Sequence, residues 1–396
     1  MAFGLRHEAE STPRILVTDA QDRAALAAVR CLREARYQVT AAADCRWAPT
    51  LWSRGWSAVT VLPDPSARVD AFIDRLEEFL RKNPHDVLLA LRDETLYAIS
   101  GRRQRIEPHV ALCLPSHEVV KRALDKVCLA TEAAKVGLST PEGQVCTNLE
   151  EALRTAQTFG FPVLVKGVRT IVEVDGRLVR YPSRLVPNEG ALRATQPLFG
   201  TCIVQRREQG NVMSFAGVAT DRGLLGSVVS RYRRTWPPNA GMASFLETIR
   251  PPSSLTERVQ ALVAGIGWSG VFQLQLIECD HGAIKAIDFN PRLYGSMSVA
   301  RAAGAPLATL WCGWVLGEDP KPAMARAGVG YRWEEGDVLH IGWQLRNGDF
   351  RGAAAAAFPR RGVTHAYFRA RDPLPTVALA IELGRRLLAR ARTSAR

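Results

Sequence analysis

Gln273, Gln275, Asp288, Asn290 and Arg292 are spaced so that one β-hairpin would gather them. The run GVFQLQLIECDHGAIKAIDFNPR reads as two strands joined by a tight turn at Asp280-His281-Gly282. A hairpin symmetric about the bond between His281 and Gly282 sets Gln275 opposite Asp288 and Gln273 opposite Asn290. Residues two apart on a strand share a face, and so do directly opposed residues. The four oxygen-bearing side chains therefore share one side, and Phe272, Leu274, Leu276, Ile287 and Phe289 are expected to turn into the core. Such a cluster suits Mg²⁺, which takes oxygen ligands, keeps waters, and needs only one or two protein carboxylates beside substrate phosphates. Arg292 adds a planar fork for a phosphoryl oxygen. Pro291 stiffens the strand exit, and Gly295 permits close backbone approach. A solvated sheet face followed by a turn is the plainer alternative for the same pattern.

The elements that must position this hairpin can be read upstream. RILVTD, YQVTAAA, WSAVTVLP and DVLLAL alternate with helical patterns through Leu26 and Leu32 and through Phe72, Leu76 and Phe79. That order predicts an α/β unit with a parallel sheet. The GxGxxG phosphate fingerprint is absent after its first strand, so this Rossmann-like unit is not expected to bind a dinucleotide. One helical pattern covers 115–138, with Gly137 as its C-cap. FPVLVKG is a short buried strand ending in a lysine, and SFAGVATDRGLLGSVVSRYRR forms a hairpin about Asp221-Arg222-Gly223. Alternation along its second arm sets Arg231 and Arg233 on one face and Arg234 on the other. The chain ends in a basic helix whose stripe of Val377, Ala380, Ile381, Gly384, Leu387, Leu388 and Ala391 is expected to pack on its own domain rather than on a membrane surface.

The net charge of +13 rests mostly on arginine, since seven of the 52 basic residues are lysines. A lysine is therefore not the default cation here, and its positions are informative. No basic stripe interleaved with aromatics points to nucleic acid, no apolar run is long enough to span a membrane, and no nucleophile elbow is present. The eight cysteines lack metal-ligand spacing, which suggests a reducing cytoplasm.

Asp288-Phe289-Asn290-Pro291-Arg292 resembles the E-x-N-P-R type motif of the ATP-grasp superfamily, with aspartate where glutamate is usual. Gln275 as the first metal position, and the continuation RLYGSMSVARAAGAPL, resemble its carbamoyl-phosphate-synthase-like ligases. The resemblance spans about Arg14 to Pro320. It implies a Rossmann-like domain (14–118), a lid subdomain (119–200) and a core subdomain (201–330); a loose tail (1–13) is expected before them, and after them a C-terminal helical extension (331–396) expected to cover the site or mediate a homodimer. LDKVCLATEAAKVGLSTP and FPVLVKG resemble the segments carrying two phosphate-binding lysines, here Lys126 and Lys166. IVQRREQG resembles the adenine hinge, which places Gln205, Arg206, Arg207 and Glu208 at the nucleotide and Asn211 at the ribose. Arg231 and Arg234 are then candidates for phosphate or substrate contact. VRTIVEVDGRLVRYPSR stands where the family carries a glycine-rich lid loop. The resemblance implies ATP, Mg²⁺ or Mn²⁺ held by Gln275, Asp288 and Asn290, and Arg292 and Lys166 in catalysis. It implies a ligase that joins a small-molecule carboxylate to an amine through an acyl phosphate. A nucleotide-binding relative with weak activity, or a small-molecule kinase, are the other readings. Asp93 and Glu94, at the end of a strand, are expected near the second substrate or at a helix start.

Overall fold

The structure, a computed structural model, describes residues 12–195, 200–238, 241–280, 282–358 and 361–394. Most of the expected tail lies outside these residues, and so does His281 of the hairpin turn. The first sheet is parallel, in the order β3-β2-β1-β4-β5, built from β1 (Arg14–Val17), β2 (Gln38–Ala43), β3 (Ala58–Val61), β4 (Val87–Leu89) and β5 (Ala111–Leu112). Its central strands are buried, as apolar runs flanked by helices on both faces should be.

The expected single helix over 115–138 is two, His117–Ala123 and Lys126–Lys135. Asp125 separates them, because its carboxylate accepts from the backbone N–H groups of Val127 and Cys128 and so starts a new helix. Gly137 follows with φ +72°, as a helix stop requires.

A small antiparallel sheet comes next, in the order β10-β7-β11-β6, from β6 (Gly143–Cys146), β7 (Val163–Gly167), β10 (Arg184–Val186) and β11 (Cys202–Arg206). Because β11 pairs with both β6 and β7, this sheet runs past the expected boundary at 200. Between β7 and β10 lies a separate hairpin, β8 (Ile171–Val174) and β9 (Arg177–Arg180).

The large sheet contains β12 (Gly210–Thr220), β13 (Gly223–Trp236), β14 (Met242–Ile249), β15 (Gly270–Cys279) and β16 (Ile284–Asn290), in the order β16-β15-β12-β13-β14. The short β17 (Ala323–Met324) pairs with β13. The C-terminal extension is more than helical, since it adds β18 (Gly330–Arg332) and β19 (Val363–His365) beyond β14.

One face of the large sheet (Phe215, Phe272, Leu274, Leu276) packs on helix Leu255–Ile266, in a core that continues under the first sheet. The opposite face (Ala216, Val228, Val271) meets helices Arg23–Glu34 and Leu307–Val315 and the extension's Tyr331 and Trp333. The final helix, Leu374–Ser394, buries Ala378 and Leu379, while Val377, Ile381 and Leu388 of the expected stripe are exposed. Just before it, Asp372 pairs with Arg30 (3.0 Å) and ties the chain to the first domain. Among the described residues no helix is long and apolar enough to cross a membrane.

Candidate active site

The β15–β16 hairpin pairs Gln275 with Asp288 and Gln273 with Asn290, as the spacing predicts. The register then slips: Leu276 opposes Ala286, leaving Ile287 as the extra residue of a β-bulge. This corrects the expectation for Ile287. Instead of joining Phe289 in the core, Ile287 is half-buried and lines a cavity, and Ala286 takes the core position.

That cavity holds about 210 Å³ and opens to solvent between the small sheet and the hairpin. Its polar side chains are few: Lys126 at the start of a helix, Lys166 on β7, Gln205 on β11, and the hydroxyls of Thr131 and Thr140. Its apolar walls include Leu129, Val145, Ile203 and Ile287. The two lysines meet because the chain before helix Lys126–Lys135 is laced to the chain after β7. Lys126 N–H donates to Val168 O (2.9 Å) and Thr170 N–H to Leu124 O (3.0 Å). Lys126 Nζ lies 2.8 Å from Asp288 Oδ1, and Lys166 Nζ lies 3.2 Å from Ile287 O. Lys166 is only 6% exposed. Burial first, and the neighbouring Lys126 second, push its ammonium down to about 8, against the pull of Asp288. A buried cation bonded to one neutral carbonyl suits an anionic ligand.

Arg292 is aimed by a buried carboxylate. Its Nε donates to Asp93 Oδ1 (2.6 Å), and its Nη2 reaches Asp93 Oδ2 and Asn290 Oδ1, both at 3.3 Å. Asp93, 2% exposed, also accepts from Arg180 of β9 (2.7 Å). Burial pushes the Asp93 carboxyl up, but Arg292 and Arg180 outweigh it and hold it near 2. Asp93 thus orients Arg292, and Glu94 pairs with Arg180. Both acids serve the arginines and neither is left for a substrate.

Six residues expected at the nucleotide or substrate are engaged away from the cavity wall or stand outside it. Arg206 pairs with Glu142 (3.0 Å) and covers the Phe159 ring. Arg207 and Asn211 are exposed. Glu208 binds Lys285 at 2.5 Å. Arg231 binds Glu278 (2.6 Å) on the sheet face opposite Gln275, because it is registered with Met213 and Leu276. Arg234 is paired with Asp337 at 2.8 Å. Tyr232, between them, turns to the other face, which it shares with Ser230, registered with Ser214 and through it with Gln275. Sequence reasoning passed over Tyr232 and the cavity's apolar walls, since nothing local separates them from ordinary core residues.

The segment in place of a glycine-rich lid is the β8–β9 hairpin, docked on the first domain. Val69 N–H donates to Gly176 O (3.0 Å), Leu178 N–H to Ser66 O (3.1 Å), and Arg102 pairs with Glu173 (2.7 Å).

Among the described residues no group of three or more His, Cys, Asp or Glu could hold a metal ion. One carboxylate, Asp288, flanked by the amides Gln275 and Asn290, fits Mg²⁺ carried in by phosphates, and does not fit a metal centre made by protein alone.

No protein-family model matches the chain. Similar solved structures include the biotin carboxylase domain of Hydrogenobacter thermophilus 2-oxoglutarate carboxylase, in complex with MgADP, ADP and bicarbonate. It shares 15% identity, with 81% of this chain and 74% of that one covered, at a TM-score of 0.62. N5-carboxyaminoimidazole synthetase from Staphylococcus aureus matches at 11% identity, covering 78% and 79%, with a TM-score of 0.57. An L-amino acid ligase from Bacillus licheniformis matches at 13% identity, covering 78% and 75%, also at 0.57. At such identities the likeness speaks to architecture, and on that ground the chain has the ATP-grasp fold.

Proposed function

We propose that the chain is an ATP-dependent ligase that joins a small-molecule carboxylate to an amine, releasing ADP and phosphate. The observation that carries this reading is convergence. Two lysines from separate elements line one cavity in an ATP-grasp fold, the hairpin lends Ala286 and Ile287 to its wall, and Asp288 reaches Lys126 at 2.8 Å. Lys126 and Lys166 hold the phosphates, and Gln205 lines the same cavity, its buried Oε1 without a partner among the described residues. Asp288, Gln275 and Asn290 hold Mg²⁺, which when bound neutralises phosphate charge. Arg292, fixed in direction by Asp93, steadies the carboxylate as its oxygen attacks the γ-phosphorus and the bond to ADP breaks. The amine then attacks the acyl carbon and phosphate leaves. The protein supplies position and charge, so no Ser or Cys nucleophile takes part. Eight free cysteines suit a cytoplasmic location for this chemistry.

The test is ADP release across amino acids, hydroxy acids and uronic acids, with and without added amines. Acid-dependent turnover is expected in the wild type. Asp288→Asn should lower it more than about 100-fold, and Asp288→Glu should retain much of it, because a carboxylate is restored. Wild-type turnover in Asp288→Asn would refute the metal assignment.

A further inference from the structure

Among the described residues nothing covers one side of the final helix, Leu374–Ser394. Val377, Ile381 and Leu388 are 49%, 43% and 64% exposed there. At 3.6 residues per turn these three and Gly384 fall within roughly 60° of the helix circumference, so they form one row. The other side is seated, since Ala378 and Leu379 are buried. Single exposed apolar residues are ordinary, whereas a row of them on one helix face marks a contact surface.

Charge and aromatic rings adjoin the row. The guanidinium of Arg385 lies over the ring of Trp47, 5.6 Å from its centroid. The short turn Pro49–Trp52 packs on the same helix, and both Trp47 and Trp52 are exposed. Asp372, two residues before the helix, accepts the backbone N–H of Arg54 (3.0 Å) and the hydroxyl of Ser53 (2.7 Å), which brings the segments of Arg54 and Arg371 together. Arg46, Arg54, Arg371 and Arg385 are all exposed, with no ion-pair partner among the described residues. The acids beside them are taken. Asp44 pairs with Arg92 (3.3 Å), Asp372 with Arg30 (3.0 Å), and both Glu335 and Glu382 with Arg386. Over 374–396 the sequence itself carries five arginines against one acid.

Charge then selects the occupant. A second copy would bring two clusters of unpaired arginines together, which a chain of net charge +13 opposes. A nucleic acid would neutralise the arginines but gains nothing from a row of valine, isoleucine and leucine. An anionic lipid surface uses both features. The apolar row enters the boundary between headgroups and acyl chains, the arginines meet the headgroup charge, and tryptophan favours that same depth. We propose that this helix, with Trp47, Trp52 and the four arginines beside it, lies in the plane of an anionic membrane surface and holds the chain there. The helix rests on the bilayer and does not cross it. Nothing in this inference depends on the ligase reading.

The experiment is co-sedimentation of the full chain, without nucleotide, with vesicles of phosphatidylcholine alone and of phosphatidylcholine holding about 30% phosphatidylserine. Binding to the serine-containing vesicles should be at least about tenfold tighter, and raising salt from about 0.1 to 0.5 M should release most of the protein. The double variant Ile381→Ser with Leu388→Ser removes apolar surface without changing charge and should weaken binding at least about tenfold. Arg54→Gln with Arg385→Gln should erase about tenfold or more of the preference for the anionic vesicles. All four side chains are exposed, so both variants are expected to fold; should the serine variant fail to, the glutamine variant decides. No binding at about 1 mM lipid, equal binding to the two vesicle types, or unchanged binding in both variants overturns the proposal. So does a solution dimer that the serine variant splits, which would assign the row to a second copy. Binding of a single-stranded oligonucleotide tighter than vesicle binding, and lost in the glutamine variant, overturns it as well.

Discussion

Replacing Lys166 by Met should stabilise the ligand-free protein and weaken its nucleotide site at the same time. The ammonium is buried, faces Lys126, and is held down to about 8 from an ordinary 10.5. At about 1.36 kcal/mol per pKa unit, keeping it charged costs the fold roughly 3 kcal/mol near neutral pH. Methionine fills similar volume without the charge but leaves Ile287 O without its donor, a loss of about 1 kcal/mol. The net expectation is a gain of about 2 kcal/mol. The pH dependence carries the sign. A lysine with a depressed folded value releases its proton first in the native state, so the unfolded chain binds more protons between about 8 and 10.5. Wild-type stability should therefore rise with pH through that window, and Lys166→Met should lack the rise. A phosphate contact from a charged donor contributes about 1.5–3 kcal/mol, so nucleotide affinity should fall roughly 10- to 100-fold. Urea unfolding from pH 7 to 10.5, with and without MgADP, measures both effects. A variant that is less stable than wild type without nucleotide, or that binds MgADP equally well, would refute the reasoning.

Asp93→Asn should leave Arg292 and Arg180 sharing a neutral partner. A loss of about 3 kcal/mol in stability and a fall in kcat larger than any rise in KM are expected from chemical unfolding and steady-state kinetics. The same carboxyl, held near 2, contributes stability that is complete above 3.8 and lost as pH falls through about 2, so acid unfolding of the variant should start from a lower plateau. Arg180→Ala removes the tie between β9 and the first domain. Limited proteolysis should then cut within 171–180 faster than in wild type, and an unchanged cleavage rate would show that the backbone bonds at Gly176 and Leu178 suffice.

Alternation in FQLQL and AIDFN foretold which residues of the hairpin would stand opposite one another, because pairing near a tight turn is local geometry. The strand–helix order of the first 118 residues likewise carried its parallel sheet, and the scarcity of lysine drew attention to Lys126 and Lys166. The bulge at Ile287 was not legible, since one extra residue in a strand changes neither composition nor period enough to be seen. The arginines misled for a related reason. Arg206, Arg231 and Arg234 fit the motif's positions, but each found a carboxylate supplied by another element, and ion pairing between distant segments leaves no trace in local sequence.

What the sequence determined by itself was short-range: strand periodicity, turn positions, and the residue types able to meet phosphate or a hard cation. What tertiary structure alone decided was which charges are already satisfied. Asp93 became the support of Arg292 only because it begins a helix on which β9 and the exit of β16 converge, 199 residues away in the chain for Arg292. Arg234 was committed only because Asp337, 103 residues further along the chain, lies beside it in space. The physical reason is the same in both cases: electrostatic pairing depends on distance and burial in space, and neither is a function of separation along the chain.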